Sequence, residues 1–105
     1  MNTQFKKGII DVCVLSLVSQ DYTTVYQITK VLKGTLDVNE NTIYPRLRRL
    51  IEQGYLVFDK KLGDAGAPKK IYQLTDSGLS FLKEEKEEWH TFTVAVNEIL
   101  GGHHE

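Results

Sequence analysis

Asn39-Glu-Asn-Thr-Ile-Tyr-Pro-Arg-Leu-Arg-Arg-Leu-Ile-Glu-Gln-Gly-Tyr55 decides the fold. Ile43, Leu47, Leu50 and Ile51 recur at helical spacing and build one apolar face. At about 100° per residue, Asn41, Pro45, Arg48 and Glu52 fall on the other side, with Thr42 and Arg49 nearer its edge. Gly54 ends this helix as a residue free to take a left-handed conformation. Two β-like runs follow, Tyr55–Lys61 and Lys69–Thr75, and the Gly- and Pro-bearing connector between them reads as a loop. A helix with a polar, Arg-bearing outer face followed by a hairpin with Lys at its base is the plan of a winged helix-turn-helix. Such a unit lays its helix in the major groove and its hairpin beside the DNA backbone.

Charge follows the same division. The chain carries 13 Lys and Arg against 14 Asp and Glu, so the high isoelectric point of many nucleic-acid binders is missing. Residues 42–73, however, hold seven positive side chains (Arg46, Arg48, Arg49, Lys60, Lys61, Lys69 and Lys70) and three negative ones, a net of +4. Residues 74–105 hold two positive and seven negative, a net of −5. The positive field therefore sits on the proposed reading unit, where phosphates need it. A solvated surface with an excess of Arg is the competing explanation.

A chain of 105 residues is one domain by size and can bury a core without metal or disulfide help. No run approaches the ~18 apolar residues of a membrane span, and the N-terminus lacks the pattern of a secretory signal. Cys13 is the one cysteine, which points to a reducing, cytoplasmic setting; in Val12-Cys-Val-Leu15 it reads as a small buried hydrophobe.

Ahead of the deciding stretch, Met1 to Lys7 reads as a polar lead-in, and Ile9 to Val18 as a helix hydrophobic nearly all round, with a buried strand as the alternative. Burying every face of it in so short a chain calls for a second subunit. Thr23 or Thr24 caps a following amphipathic helix with Val25, Ile28, Val31 and Leu32, stopped near Gly34. Tyr22 and Tyr26, one turn apart, read as packing at the core edge. Asn39 is the N-cap candidate for the deciding helix, with Asn41 and Thr42 as competitors, and Pro45 predicts a bent or loosened first turn. Thr75 caps a last helix with Leu79, Leu82, Trp89, Phe92, Val96 and Ile99 on one stripe, a heptad-like series. About 25 residues at 1.5 Å each make a rod of ~38 Å, and its middle, Lys83 to Glu88, is entirely charged. This is the pattern of a dimerisation helix, with Leu82, Trp89, Phe92, Val96 and Ile99 as the seam; a terminal helix folding back on its own core is the alternative.

Asn41-Thr-Ile-Tyr-Pro-Arg-Leu-Arg-Arg-Leu-Ile-Glu-Gln-Gly-Tyr-Leu56, with Lys70-Ile-Tyr-Gln-Leu-Thr-Asp-Ser-Gly78, resembles the PadR family of winged-helix transcriptional regulators. The resemblance covers essentially the whole chain and accommodates proline at position 45. Val25, before Tyr26, departs from it, because the family often has glycine there. The fold class expected is mainly α with a small β-hairpin: a winged helix-turn-helix over residues 1–75, a C-terminal dimerisation helix over 76–100 and a flexible tail over 101–105. The resemblance implies a dimeric repressor on a pseudo-palindromic double-stranded DNA operator.

For DNA, Asn41 and Arg48 are the candidates for base edges, since amide and guanidinium groups bond bidentately in the major groove. Thr42 and Tyr44 suit phosphate oxygens near the helix N-terminus, with core packing as the competing use of Tyr44; Pro45 and Arg49 complete the face. Lys69, Lys70 and Tyr72 are assigned to the backbone beside the wing. In the multidrug-binding branch of the family, a tryptophan in the last helix lines an apolar pore between subunits and stacks on flat aromatic ligands. Trp89, with Phe92 and Val12, is the matching effector candidate, and simple packing on the partner is the alternative for Trp89. His90, His103 and His104 form no metal-ligand pattern, and no catalytic triad or phosphate loop is present, so neither enzyme activity nor a cofactor is expected. The rival reading, from another class, is a winged-helix protein-interaction module that does not bind DNA directly.

Overall fold

The computed structural model describes residues 3–63 and 66–101, with side chains described from residue 8 onward. Four helices and one hairpin follow in the order α1 (Thr3–Ser19), α2 (Val25–Leu36), α3 (Glu40–Glu52), β1 (Leu56–Leu62), β2 (Pro68–Leu74) and α4 (Asp76–Ile99). Helix α1 begins earlier than the polar lead-in suggested. Ile10, Val14, Leu15 and Val18 bury one face of it, whereas Val12, Cys13 and Leu17 stay half-buried, so one chain leaves part of this apolar helix uncovered.

Helix α2 starts at a reciprocal capping box. The Thr24 hydroxyl accepts from the Gln27 amide at 3.2 Å while the Gln27 side chain accepts from the Thr24 amide, which settles the choice between Thr23 and Thr24. The helix runs past Gly34 and ends at Asp37, whose left-handed backbone (φ 55°) makes the turn that glycine was expected to make. Val38 then drops into the core. In α3, Ile43, Leu47 and Leu50 are buried and meet Ile28 and Leu32 of α2 in a single apolar cluster. Asn39 is the N-cap by position, but its side chain caps nothing; its carbonyl accepts from both Thr42 (3.1 Å) and Ile43 (3.2 Å). The helix runs on through Pro45, which deprives the Asn41 carbonyl of its helical donor; both residues lie on the exposed side, where water can take that place.

Gly54 takes φ 83° and turns the chain into the hairpin. The strands pair antiparallel from Leu56↔Leu74 to Leu62↔Pro68, which puts Lys60 opposite Lys70 and Lys61 opposite Lys69. Phe58 and Tyr72 are also opposite each other, with ring centroids 5.8 Å apart. The Tyr72 amide donates to the Thr23 carbonyl at 2.8 Å, fastening the hairpin to the start of α2. Thr75 is the joint between hairpin and last helix: its hydroxyl donates to the Gly54 carbonyl at 2.6 Å and accepts from the Gly78 amide at 2.9 Å.

Only the first part of α4 belongs to this core. Gly78 and Leu82 are buried and Phe81 stacks on Tyr55 at 4.4 Å, but beyond Leu82 the described side chains are at most half-buried. Leu82 therefore packs its own domain (3 % exposed) rather than a dimer seam, a correction to the heptad reading. The 24-residue helix leaves the domain and stretches the molecule to 54 Å along its long axis. Of the expected tail, residues 102–105, with His103 and His104, lie outside the described residues.

Candidate nucleic-acid interface

The sequence periodicity of α3 has a direct consequence for its outer side. With Ile43, Leu47 and Leu50 in the core, Asn41, Thr42, Pro45, Arg48 and Arg49 are all exposed together. Tyr44 is half-exposed at the margin, so both uses foreseen for it stay open to one ring. Lys69 and Lys70 are exposed on β2. The Lys70 ammonium lies 4.6 Å from the centre of the Phe58 ring, an attraction that orients its chain without removing its charge. Tyr72 is different. It is 3 % exposed, its ring packs in the core, and burial first, with nearby Tyr44 second, pushes its phenol pKa up. Its ring is taken up by the core, so its assignment to the DNA backbone is withdrawn; Tyr72 shares one face of β2 with Lys70 and Leu74, and the core ends between Tyr72 and Lys70.

Arg46 also departs from the charge reading. It points back from α3 to Asp11 of α1 in a two-pronged pair, Nε to Oδ1 at 2.7 Å and Nη2 to Oδ2 at 2.6 Å. Hydrogen bonding to Asp11 raises the Arg46 pKa. One of the seven central cations is thus neutralised, and its work is to fix the angle of α3 on α1. Neither partner showed a sequence signal, since 35 residues separate them. Arg46→Ala leaves a largely buried carboxylate unpaired and should lower stability by about 2 kcal/mol. Adding Asp11→Ala should restore part of that loss in urea unfolding; an additive double variant would show that the pair contributes no coupling.

A second site lies at the other end. A groove of about 580 Å³ between α1 and α4 is lined by Ile9, Val12, Cys13, Trp89 and Phe92, with Glu85 and Glu88 at its edge. The Val12–Trp89–Phe92 set named from the sequence therefore does converge. Trp89 and Phe92 rings sit 6.1 Å apart and tilted. Desolvation first, then Glu88 and Glu84, hold the Glu85 carboxyl pKa above its usual range, and burial raises that of the Cys13 thiol. Val96 is half-buried and Ile99 exposed farther along α4. Among the described residues, no group of three His, Cys, Asp or Glu could hold a metal, and no helix is long and apolar enough to cross a membrane.

A helix-turn-helix with a two-stranded wing and a projecting terminal helix defines the winged-helix class of regulators. Residues 14–84 match the model of the PadR-like family of transcriptional regulators, and the chain belongs to that family. It is 29 % identical over 85 residues to the negative transcriptional regulator PadR of Bacillus subtilis, covering 77 % of this chain and 44 % of that protein. The chain thus spans less than half the length of that relative. Among solved structures, a PadR-like transcriptional regulator of Bacillus cereus superposes with a TM-score of 0.82 at 32 % identity, covering 98 % of this chain and 100 % of the other. A PadR-like transcription factor of Bacteroides fragilis gives 0.78 at 33 % identity, over 92 % and 95 % of the two chains. The family is one of transcriptional regulators.

Proposed function

We propose that the chain is a dimeric, sequence-specific DNA-binding repressor, released from its operator by a flat aromatic or apolar molecule at the dimer seam. The observation that carries DNA binding is the shared exposure of Asn41, Thr42, Arg48 and Arg49 on one helix face, beside a wing bearing Lys69 and Lys70. Asn41 and Arg48 read base edges; Thr42, Tyr44 and the wing lysines hold phosphates. Trp89, Phe92, Val96 and Ile99 form the seam, and the similarity to a negative transcriptional regulator of Bacillus subtilis favours repression over activation.

The α1–α4 groove supports the effector. Its apolar wall suits a flat ring, and the carboxylates at its edge favour a cationic one. Because α1 lines the groove on one side and grips Arg46 of α3 on another, occupancy there is linked mechanically to the reading helix. A mobility shift on a duplex from upstream of its own coding sequence tests the reading; no shift would favour the protein-interaction alternative. Trp89 is the sole tryptophan, so a flat aromatic cation should quench its emission, saturate at one per dimer and weaken DNA binding. Trp89→Ala should abolish the ligand response while leaving operator affinity near normal. Loss of the dimer instead would make Trp89 a packing residue.

A further inference from the structure

A cleft of about 350 Å³ between α2 and α3 holds, apart from Tyr44, none of the residues assigned above. Val25, Tyr26, Thr29, Lys30 and Lys33 line it from α2, Glu40 and Tyr44 from α3. Tyr26 was expected at the core edge, yet it is 74 % exposed, with the Lys30 ammonium 6.0 Å from its ring centre. Thr29 is 8 % exposed, and its hydroxyl has no hydrogen-bond partner among the described residues. The lining of the cleft thus includes two lysines, two tyrosines and one threonine with an orphaned hydroxyl, beside the single carboxylate of Glu40. The ammonium groups and hydroxyls are donors for a tetrahedral anion.

We propose that this cleft seats a backbone phosphate of the bound DNA, with Lys30, Tyr26 and Tyr44 as its contacts. Three observations choose that source. The α3 side of the cleft, Glu40 and Tyr44, borders Asn41 and Thr42, so a duplex lying on the helix face passes its mouth. The Asn39 side chain makes no capping bond at the α3 N-terminus, and the positive end of the helix there favours negative charge. Glu40 offsets one of the two lysines, which leaves the cleft a poor trap for a free anion but adequate for a phosphate delivered by the rest of the interface. The short turn between α2 and α3 places Lys33 and Glu40 toward the joined end, and Lys30 toward the open one. The seat would position α3 from its flank; it carries no sequence information.

This inference rests on the DNA-binding reading, and the test separates the two. Affinity of the full chain is measured by anisotropy across a salt series, on the upstream duplex and on a random duplex of equal length. Lys30→Ala should weaken both duplexes alike and reduce the logarithmic salt slope by about one. Lys86→Ala, which removes the same charge from α4, should leave the slope unchanged. Tyr26→Phe changes no charge and should still cost about tenfold or more on both duplexes, as loss of a hydrogen bond to an ionised group does. Thermal unfolding of each variant, with Lys30→Gln as a second replacement, excludes a folding defect. If Lys30→Ala matches Lys86→Ala, or if Tyr26→Phe binds as the parent does, the seat is overturned while DNA binding stands. If the parent protein binds neither duplex, both readings fall. A titration with inorganic phosphate that saturates at the cleft with no Lys30 effect on DNA would replace the seat by a free-anion site.

Discussion

Gly78→Ala should cost about 3 kcal/mol of folding stability, because the added methyl has no space to enter. A Cβ built there collides with the Tyr55 carbonyl oxygen and lies 2.9 Å from its carbon. Tyr55 cannot yield easily. Its amide donates to Leu50 at 2.9 Å, its carbonyl accepts from Thr75 at 3.1 Å, and its ring is stacked on Phe81. Relief requires lifting the start of α4 off the hairpin, which breaks the Thr75 cap and uncovers Leu82. The melting temperature should fall by roughly 15 °C for a domain of this size. Gly34→Ala is the control: it sits inside α2 with nothing within 4 Å of a new Cβ, so it should stabilise by about 0.5–1 kcal/mol. Thermal and urea unfolding check both, and a Gly78→Ala protein as stable as its parent would contradict the packing described.

The double variant Val96→Asp, Ile99→Asp should be a monomer. Ile99 is 83 % exposed in the single chain, and the apolar side of α4 continues past the point where its own domain ends. If a partner covers it, each unpaired carboxylate at the seam costs on the order of 3 kcal/mol, so together they raise the dimer dissociation constant by about 10⁴ or more. Sedimentation at micromolar concentration should then show one species of 12.0 kDa that melts cooperatively, since neither side chain serves the core. Leu82→Asp should behave in the opposite way and unfold the chain. An unchanged dimer in the Val96, Ile99 variant would place the interface elsewhere.

The helix–hairpin–helix plan was legible because its signals are local. Periodicity placed Ile43, Leu47 and Leu50 in the core, and Gly54 and Thr75 marked the two ends of the hairpin. What failed depended on context. Asp37 took the left-handed turn expected near Gly34, a conformation that aspartate reaches at modest cost. Leu82 matched the heptad spacing but lies before the point where α4 leaves the domain, which no spacing reveals. Tyr72 was read as a polar residue beside the lysines, whereas its place opposite Phe58 follows from the register of the hairpin. The Asp11–Arg46 pair and the α2–α3 cleft join residues distant in sequence, and composition carries no trace of either. Val12, Trp89 and Phe92 did meet; spacing along α4 paired Trp89 with Phe92, but no pattern in the residues brings Val12 of α1 to them.

The central claim is that the exposed face of α3 reads bases while the wing holds the backbone, and paired binding isotherms of Arg48→Ala and Lys70→Ala test it most directly. Both side chains are exposed, so both variants should fold as the parent does. On the preferred operator, Arg48→Ala should lose about 1–3 kcal/mol, with little loss on random DNA. Lys70→Ala should weaken every sequence equally and lower the salt slope by about one. Equal, sequence-blind losses from the two variants would contradict the claim.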